Sequence, residues 1–479
     1  MTKPVKFAKS YREPIAIVGI GCRLPGGSND AKSFYSFLKN KGSAISEIPK
    51  DRWSIEGFYD PEPGVTGKST TKWGGFVNDL YGFDPGFFDI SPREVESMDP
   101  QQSGLLQVVY EALQDGGVTM EQASRAITGV FVGITTSDFR SLRESEQMAP
   151  SADIYAGTGT TLCIAANRIS HRFNLRGPSM ALDTACSSSM VAVDLACRNI
   201  DDGVCDMAIA AGAMVLASPA TFIVFANSNM LSPTGRISTF DANANGYVRG
   251  EGFGAVVLKP LSKALAAGDD IYGLIRATLV NQDGRTATLT SPSQDAQISM
   301  LTALCENASI DPGHVGYVEC HGTGTPTGDP IEAGAVGRVF AKSKRTSPLL
   351  IGSVKPNVGH LESAAGITGL IKGALIARHG LIPPNINFDN PNPKIPFDAL
   401  NIEVPREVRE LPTHGKGQMV VVNSFGFGGT NACALIEAWR PSKLPATIFD
   451  KPKVTPFPAV AAKKAPVAAA KRMAAAAAL

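Results

Sequence analysis

The sequence predicts an α/β fold built around central buried sheets, and three observations carry that expectation. From Thr128 onward, short β-rich runs alternate with longer amphipathic stretches. Hydrophobic residues make up 43% of the chain and charged residues 19%, so a sizeable interior is expected and disorder of the whole chain is excluded. At 479 residues the chain is too long for one ordinary core. It suits two large lobes or one unusually large double-sheet domain.

The first strand is expected at Pro14–Gly21, an apolar run feeding a tight turn. It does not open a dinucleotide site, because Cys22-Arg23-Leu24-Pro25 follows where a third glycine and a helix are needed. Residues from about Ser28 to Ile127 alternate helical patches with loops such as Asp60-Pro-Glu-Pro-Gly64. Beyond them, strands are expected at Gly129–Gly133, Met207–Gly212, Gly254–Leu258, Gly316–Glu319, Leu349–Gly352 and Met419–Asn423. Met207–Ala226 is uncharged and long enough to cross a bilayer, but Gly212, Ser218, Pro219 and Thr221 interrupt it. A buried strand, a turn at Ser218-Pro219 and the start of a helix is the better reading. After Trp439 the chain becomes rich in Pro, Ala and Lys, with Phe449 and Phe457 isolated among them. Residues 440–479 therefore read as a solvated linker or tail.

Several functional classes drop out on composition. A net charge of +1 offers no field for nucleic acid. The eight cysteines form no CxxC pair, so no metal site and no redox motif is expected. A large chain without a signal-peptide pattern at its start suits a reducing, cytoplasmic setting.

The chemistry concentrates in a few loops. Gly177–Leu182 can form a strand, the run from Met190 has helical spacing, and Asp183-Thr-Ala-Cys186-Ser-Ser-Ser189 lies between them. Cys186 is then a candidate nucleophile at a strand-to-helix turn, where free N–H groups favour a thiolate and can bind an oxyanion. The bland alternative is an inert buried cysteine. Two histidines sharpen the choice. His321 lies in Glu319-Cys-His-Gly-Thr-Gly-Thr-Pro-Thr-Gly-Asp-Pro-Ile-Glu332, and His360 in Lys355-Pro-Asn-Val-Gly-His-Leu-Glu362. Each follows a short strand and enters a Gly/Pro-rich loop, where functional side chains are displayed. The other four, His171, His314, His379 and His414, lack such surroundings. Gly426-Phe-Gly-Gly429 does not end in Gly-Lys-Ser/Thr, so it is not read as a phosphate loop.

These segments, with Asn423–Asn431, resemble β-ketoacyl synthases of the polyketide-synthase type. The resemblance also covers Glu13–Gly26, Phe88–Arg93, Met98–Gln102 and Gly246–Gly252, running from about Glu13 to Glu437. It departs at Ser103-Gly-Leu-Leu106, where an arginine and a leucine run are usual. It departs again at Ile237 and Ser238, where cysteine and a basic residue are common.

The resemblance implies a thiolase-like fold, two related α/β halves in a five-layer αβαβα sandwich. It places an N-terminal extension at 1–12, the nucleophile half at 13–265 and the histidine half at 266–439. It implies decarboxylative Claisen condensation, with Cys186 as nucleophile and His321 and His360 as enolate-stabilising donors. Lys355 is implied in support, with Asp329 or Glu332 as partner. Backbone N–H groups of Cys186 and Phe427 form the implied oxyanion hole. Thr323, Thr325, Gly428 and Gly429 are the implied substrate-binding positions.

No cofactor is implied; substrates ride on the phosphopantetheine of an acyl carrier protein. A homodimer is implied, with other polyketide synthase domains or a trans-acting acyltransferase as further partners. The alternatives are a non-elongating, transfer-only domain or a non-catalytic partner protein. A thiolase would pair its nucleophile with a second cysteine, and the His321 motif argues against it.

Overall fold

The computed structural model describes residues 11–145, 153–341, 345, 347–415 and 417–440. The expected N-terminal extension, apart from Tyr11 and Arg12, and the expected tail, apart from Arg440, lie outside the described residues.

Ten strands form the frame. The first five are β1 (Ile15–Arg23), β2 (Thr128–Gly133), β3 (Ser179–Leu182), β4 (Met207–Met214) and β5 (Gly252–Pro260). The second five are β6 (Gly273–Gln282), β7 (Val315–Glu319), β8 (Leu349–Gly352), β9 (Met419–Phe425) and β10 (Thr430–Glu437). Their order is β1-β5-β4-β2-β3 in one set and β6-β10-β9-β7-β8 in the other. The pairing senses match too: β1–β5 and β5–β4 are antiparallel, as are β6–β10 and β10–β9. The inner pairs β4–β2–β3 and β9–β7–β8 are parallel. The chain therefore contains one topology twice, a duplication with no visible period in the sequence. A short seam, Ile15–Ile17 against Gly273–Ile275, joins the two edges into one sheet. A further short strand, Ile402–Glu403, extends it beyond β8.

Eight helices matter for packing and site: α1 (Pro100–Asp115), α2 (Ile164–Phe173), α3 (Ser188–Asp201), α4 (Ala220–Asn227), α5 (Gln294–Ala308), α6 (Gly328–Val336), α7 (Lys355–Val358) and α8 (Ala365–His379). Three hydrophobic cores sort them into layers. The central core takes Met190 and Val193 of α3 with Ile367 and Leu370 of α8, plus the inner faces of both sheets. One outer core packs α1 and α2 on the first sheet, and the other packs α5 and α6 on the second. That gives the five-layer αβαβα arrangement.

Local sequence explains each layer. α8 is buried all the way from Ala365 to Ala377 and is apolar there but for Thr368 and Lys372, as suits a helix between two sheets. β2, β4 and β9 are buried on both faces and read as continuous apolar runs. On β1, Ile15 and Ile17 face the centre while Ala16 and Val18 face α1. A bulge between Ile17 and Gly19 resets that alternation. A Cβ on Gly21 would lie 1.9 Å from the Val108 carbonyl oxygen, so β1 and α1 approach closely only because the position is glycine.

Met207–Ala226 resolves into buried β4, a turn and the start of α4, and no helix among the described residues is long and apolar enough to cross a membrane. All eight cysteines are free.

Candidate active site

The first half contributes one reactive side chain. β3 ends at Leu182, and a three-ten turn, Ala185–Ser187, leads directly into α3. Ala185 adopts φ 56°, a left-handed conformation that an alanine rarely takes and that costs roughly 1–3 kcal/mol. Hydrogen bonds hold it there. The Asp183 carboxylate accepts from the Ala185 N–H at 2.8 Å, and Ser188 Oγ accepts from the Thr184 N–H at 2.9 Å. The turn puts Cys186, half-buried, at the mouth of the central helix.

Burial pushes the Cys186 thiol up to about 12, and the nearby Glu362 carboxylate adds to the rise. Lys355 and the backbone N–H groups of Phe427 and Cys186 pull the other way without prevailing. The expected thiolate is therefore a thiol at rest, because burial outweighs the helix terminus. The same pair of N–H groups faces the sulfur from two different halves of the chain.

The second half contributes the histidines. His321 follows β7, and its Nδ1 accepts from the Phe425 N–H at 3.2 Å. Nδ1 of His360 accepts from the Glu362 N–H at 3.0 Å. A backbone N–H can only donate, so both Nδ1 atoms are bare and both rings carry their proton on Nε2. The two rings sit 5.3 Å apart, centroid to centroid, at 83°. Burial, then the Lys355 ammonium, holds both histidines well below their ordinary range; His360 and Arg249 add to the effect on His321 and His360 respectively. Both are neutral donors at pH 7.

Lys355 donates from Nζ to the His321 carbonyl at 2.5 Å. It makes no ion pair with either expected partner. The carboxylate of Glu332 instead accepts from the N–H groups of His321 (2.7 Å) and Gly322 (2.8 Å) and from Asn423 Nδ2 (3.1 Å). Asp329 accepts from the N–H groups of Phe240 (2.7 Å) and Gly324 (3.1 Å). Both acids thus shape the His321 loop, and they act on Lys355 only through space. Burial raises the Asp329 carboxyl to about 7.

The loop Phe425–Gly429 closes the site. Ser424 Oγ donates to the Cys186 carbonyl at 2.8 Å, which ties β9 to the nucleophile turn. A Cβ on Gly426 would lie 2.4 Å from the Thr184 carbonyl oxygen, so only glycine lets the two loops meet. Gly429 takes φ 85° at the turn, and Gly428 has open space beside it. Phe427 is 46% exposed, its ring 6.3 Å from that of Phe225 on α4. Thr323 and Thr325, on the His321 loop, face each other, Oγ1 to Oγ1 at 3.1 Å. Ile237 is fully buried, 3.0 Å from a Cβ position on Gly324, so that departure from the family pattern fills the wall behind the threonines.

Two buried ion pairs support the site and were not singled out in the sequence. Arg249 grips Glu362, and Lys372 on α8 grips Glu319 at 2.6 Å. Glu319 also accepts from the Val354 N–H at 2.6 Å, which anchors the start of the Lys355 segment. Arg249 and Glu362 lie within quoted motifs, but nothing local announces a partner 113 residues away.

Comparison with known proteins agrees with this geometry. A family model described as "Beta-ketoacyl synthase, N-terminal domain" matches residues 12–264, and "Beta-ketoacyl synthase, C-terminal domain" matches 272–389. "Ketoacyl-synthetase C-terminal extension" matches 391–477. One component of the phenolphthiocerol/phthiocerol polyketide synthase of Mycobacterium tuberculosis is 47% identical over 429 residues, 89% of this chain and 23% of the relative. Another component of that synthase, from the same organism, is 44% identical over 425 residues, 89% of this chain and 27% of the relative. The chain thus spans about a quarter of the length of these curated relatives.

Among solved structures, an oxazolomycin ketosynthase domain of Streptomyces albus superposes with TM-score 0.85 at 37% identity, covering 90% of this chain and 76% of that one. The ketosynthase from module 6 of the bacillaene synthase of Bacillus subtilis superposes with TM-score 0.81 at 38% identity, covering 90% and 73%. With its duplicated thiolase-type fold, its cysteine turn and its paired histidines, the chain belongs to the β-ketoacyl synthase family.

Proposed function

We propose that the chain is a ketosynthase that extends an acyl chain by decarboxylative Claisen condensation, on the pattern of polyketide biosynthesis. The observation that carries the reading is the pair of neutral Nε2–H donors, tied through Phe425 and Ser424 of β9 to the turn of a cysteine whose sulfur is acted on by two backbone N–H groups.

In the first step the Cys186 sulfur attacks an acyl thioester delivered on a carrier protein's phosphopantetheine. The N–H groups of Cys186 and Phe427 hold the oxyanion. The pantetheine thiol leaves with the proton that Cys186 gives up. A malonyl-type thioester then enters the same site, with Thr323, Thr325, Gly428 and Gly429 as the proposed contacts for its pantetheine arm. It loses carbon dioxide, and the electron pair of the broken bond becomes an enolate. Two N–H donors suit that oxygen, because each hydrogen bond strengthens as negative charge develops. The enolate carbon attacks the Cys186 thioester, and the sulfur leaves as thiolate and takes a proton from water. A β-keto thioester, two carbons longer with malonyl, remains on the carrier. Burial keeps the histidines neutral, Lys355 adds to that effect by its charge, and Lys355 fixes the His321 backbone through its carbonyl.

A carrier protein is the proposed partner, with other polyketide synthase domains or a separate acyltransferase supplying extender units. A homodimer is proposed through the edge of β3. That strand pairs on one side only among the described residues, and Met180 on it is 39% exposed. An open edge of this kind is a template for a second copy.

The test is to incubate the protein with acyl- and malonyl-carrier thioesters and follow acylation and extension by intact mass. Wild type should gain an acyl group and yield an extended product, and Cys186→Ala should gain none. Acylation without extension in wild type would replace this reading with the transfer-only one. No acylation across a range of chain lengths would favour a non-catalytic partner protein.

A further inference from the structure

We infer that Arg249 and Glu362 form a positioning pair that locks His360 with its proton on Nε2. The inference rests on the reading of His360 as a donor to the enolate.

Backbone and side chains both point to this role. His360 is strapped to the Arg249 segment: its N–H donates to the Val248 carbonyl at 2.7 Å, and its own carbonyl accepts from the Gly250 N–H at 2.8 Å. Its Nδ1 depends on the N–H of Glu362, two residues on. Glu362 sits at φ 44°, a conformation a glutamate does not hold unaided. The Arg249 fork supplies the hold, with Nε to Oε1 at 2.5 Å and Nη2 to Oε2 at 3.0 Å. Arg249 is itself fully buried and fixed by stacking over the rings of Phe222 (4.7 Å) and Phe225 (5.6 Å). The Tyr247 ring, 5.1 Å from that of His360, flanks the imidazole as well.

If the pair is removed, Glu362 relaxes toward negative φ and its N–H swings off Nδ1. Nδ1 can then take the proton, and Nε2 becomes an acceptor aimed at an anion. Arg249 and Glu362 touch no reacting atom in this scheme; they act through the imidazole.

The experiment uses the whole chain with Glu362→Gln and with the double variant Arg249→Met/Glu362→Gln, which removes both buried charges together. Histidine labelled with ¹⁵N in the ring reports, for each of the six histidines, which nitrogen bears the proton. Wild-type His360 is expected with a bare Nδ1. Both variants are expected to show mixed tautomers and at least a tenfold loss of extension.

Acylation of Cys186 is the contrasting readout. The Glu362 charge helps hold the Cys186 thiol up, so Glu362→Gln should be acylated at least as fast as wild type while extending more slowly. A general loosening of the fold would slow both steps. A wild-type tautomer with wild-type extension in the double variant overturns the proposal, and so does an equal fall in acylation and extension. If neither variant melts cooperatively, Arg249→Lys, which keeps the charge without the fork, repeats the tautomer measurement; an unshifted His360 there overturns it. A wild type that is acylated but never extends would sink the proposed function instead, leaving the tautomer spectrum to judge the pair.

Discussion

At matching points of the duplicated fold, residues 183–187 join β3 to α3 and residues 353–364 join β8 to α8. The short connection is a strained turn that exposes one sulfur and one backbone N–H. The longer one has room for α7, Lys355, His360 and Glu362, each held by hydrogen bonds. The β7 loop adds His321 to the same side. On the proposed function, one scaffold, used twice, thus separates the group that would hold the acyl chain from the groups that would make the carbanion. The loops, not the strands, decide which half does what.

The largest effects should come from that division. His321→Ala and His360→Ala should each lower extension about 10²–10⁴-fold while Cys186 still acquires its acyl group, read by intact mass. If either variant also loses acylation, the halves do not divide the chemistry. The next contrast is between the two central helices. On α8, Lys372 is 2% exposed and paired with an equally buried Glu319. On α3, Asp194 pairs with Arg198, whose side chain is 36% exposed. Lys372→Met should therefore cost about 3–5 kcal/mol by leaving a buried carboxylate without its cation, against about 1–3 kcal/mol for Arg198→Ala, which leaves the buried Asp194 carboxylate the Thr278 hydroxyl as a partner. Chemical denaturation of both variants measures the gap, and equal losses would remove the distinction.

Smaller is the difference between the outer layers. Gly21 of β1 meets the backbone of α1, whereas Ala277 and Leu279 of β6 meet α5 with side chains. Gly21→Ala should destabilise by about 1–3 kcal/mol through overpacking. Ala277→Gly should cost about 0.5–1 kcal/mol.

Smallest is a pH signature of opposite sign on two sets of groups in the second half. His321 and His360 titrate below 6.5 in the folded chain, so the unfolded chain protonates first as pH falls. Their contribution is whole above about 6.5 and drains on acidification toward the folded values. Asp329 keeps its proton up to about 7 when folded, against 3.8 ordinarily. Its contribution is whole below 3.8 and is lost as pH rises through 7. Thermal melts across pH 5 to 8 (roughly the window these groups span) should therefore show His360→Gln flattening the acid limb only. A flattening at the alkaline limb instead would contradict the assignment.

Much of this was legible in the sequence, and the misses share a cause. The apolar parallel strands and the loops bearing Cys186, His321 and His360 announce themselves locally. β6 and β10 do not. Gly273–Gln282 carries Arg276 in mid-strand, whose charge is met by Glu437 on β10, and Thr430–Glu437 is built largely of small residues. Such strands gain their stability from neighbours distant in sequence, which no local pattern records. β1 runs on to Arg23, past the expected end at Gly21, because β5 continues to pair with it. The rise of the Cys186 thiol has a related cause: the helix terminus is a local feature, while the burial that opposes it comes from the whole fold. Lys355 lies where expected, yet its contact is a carbonyl rather than an acid.

The tie between Ser424 and the Cys186 carbonyl also bears on how the chain matures as it is synthesised. β1 finds its partner β5 only when Pro260 has emerged, and β6 waits for β10. The nucleophile turn can form with the first half, but Gly426 and Phe427 reach it only once the second half has been made. Until then the sulfur lacks the Phe427 N–H, half of the proposed oxyanion hole. On the proposed function, a chain cut before Phe427 would therefore keep its nucleophile but lose one of the two donors meant for the oxyanion.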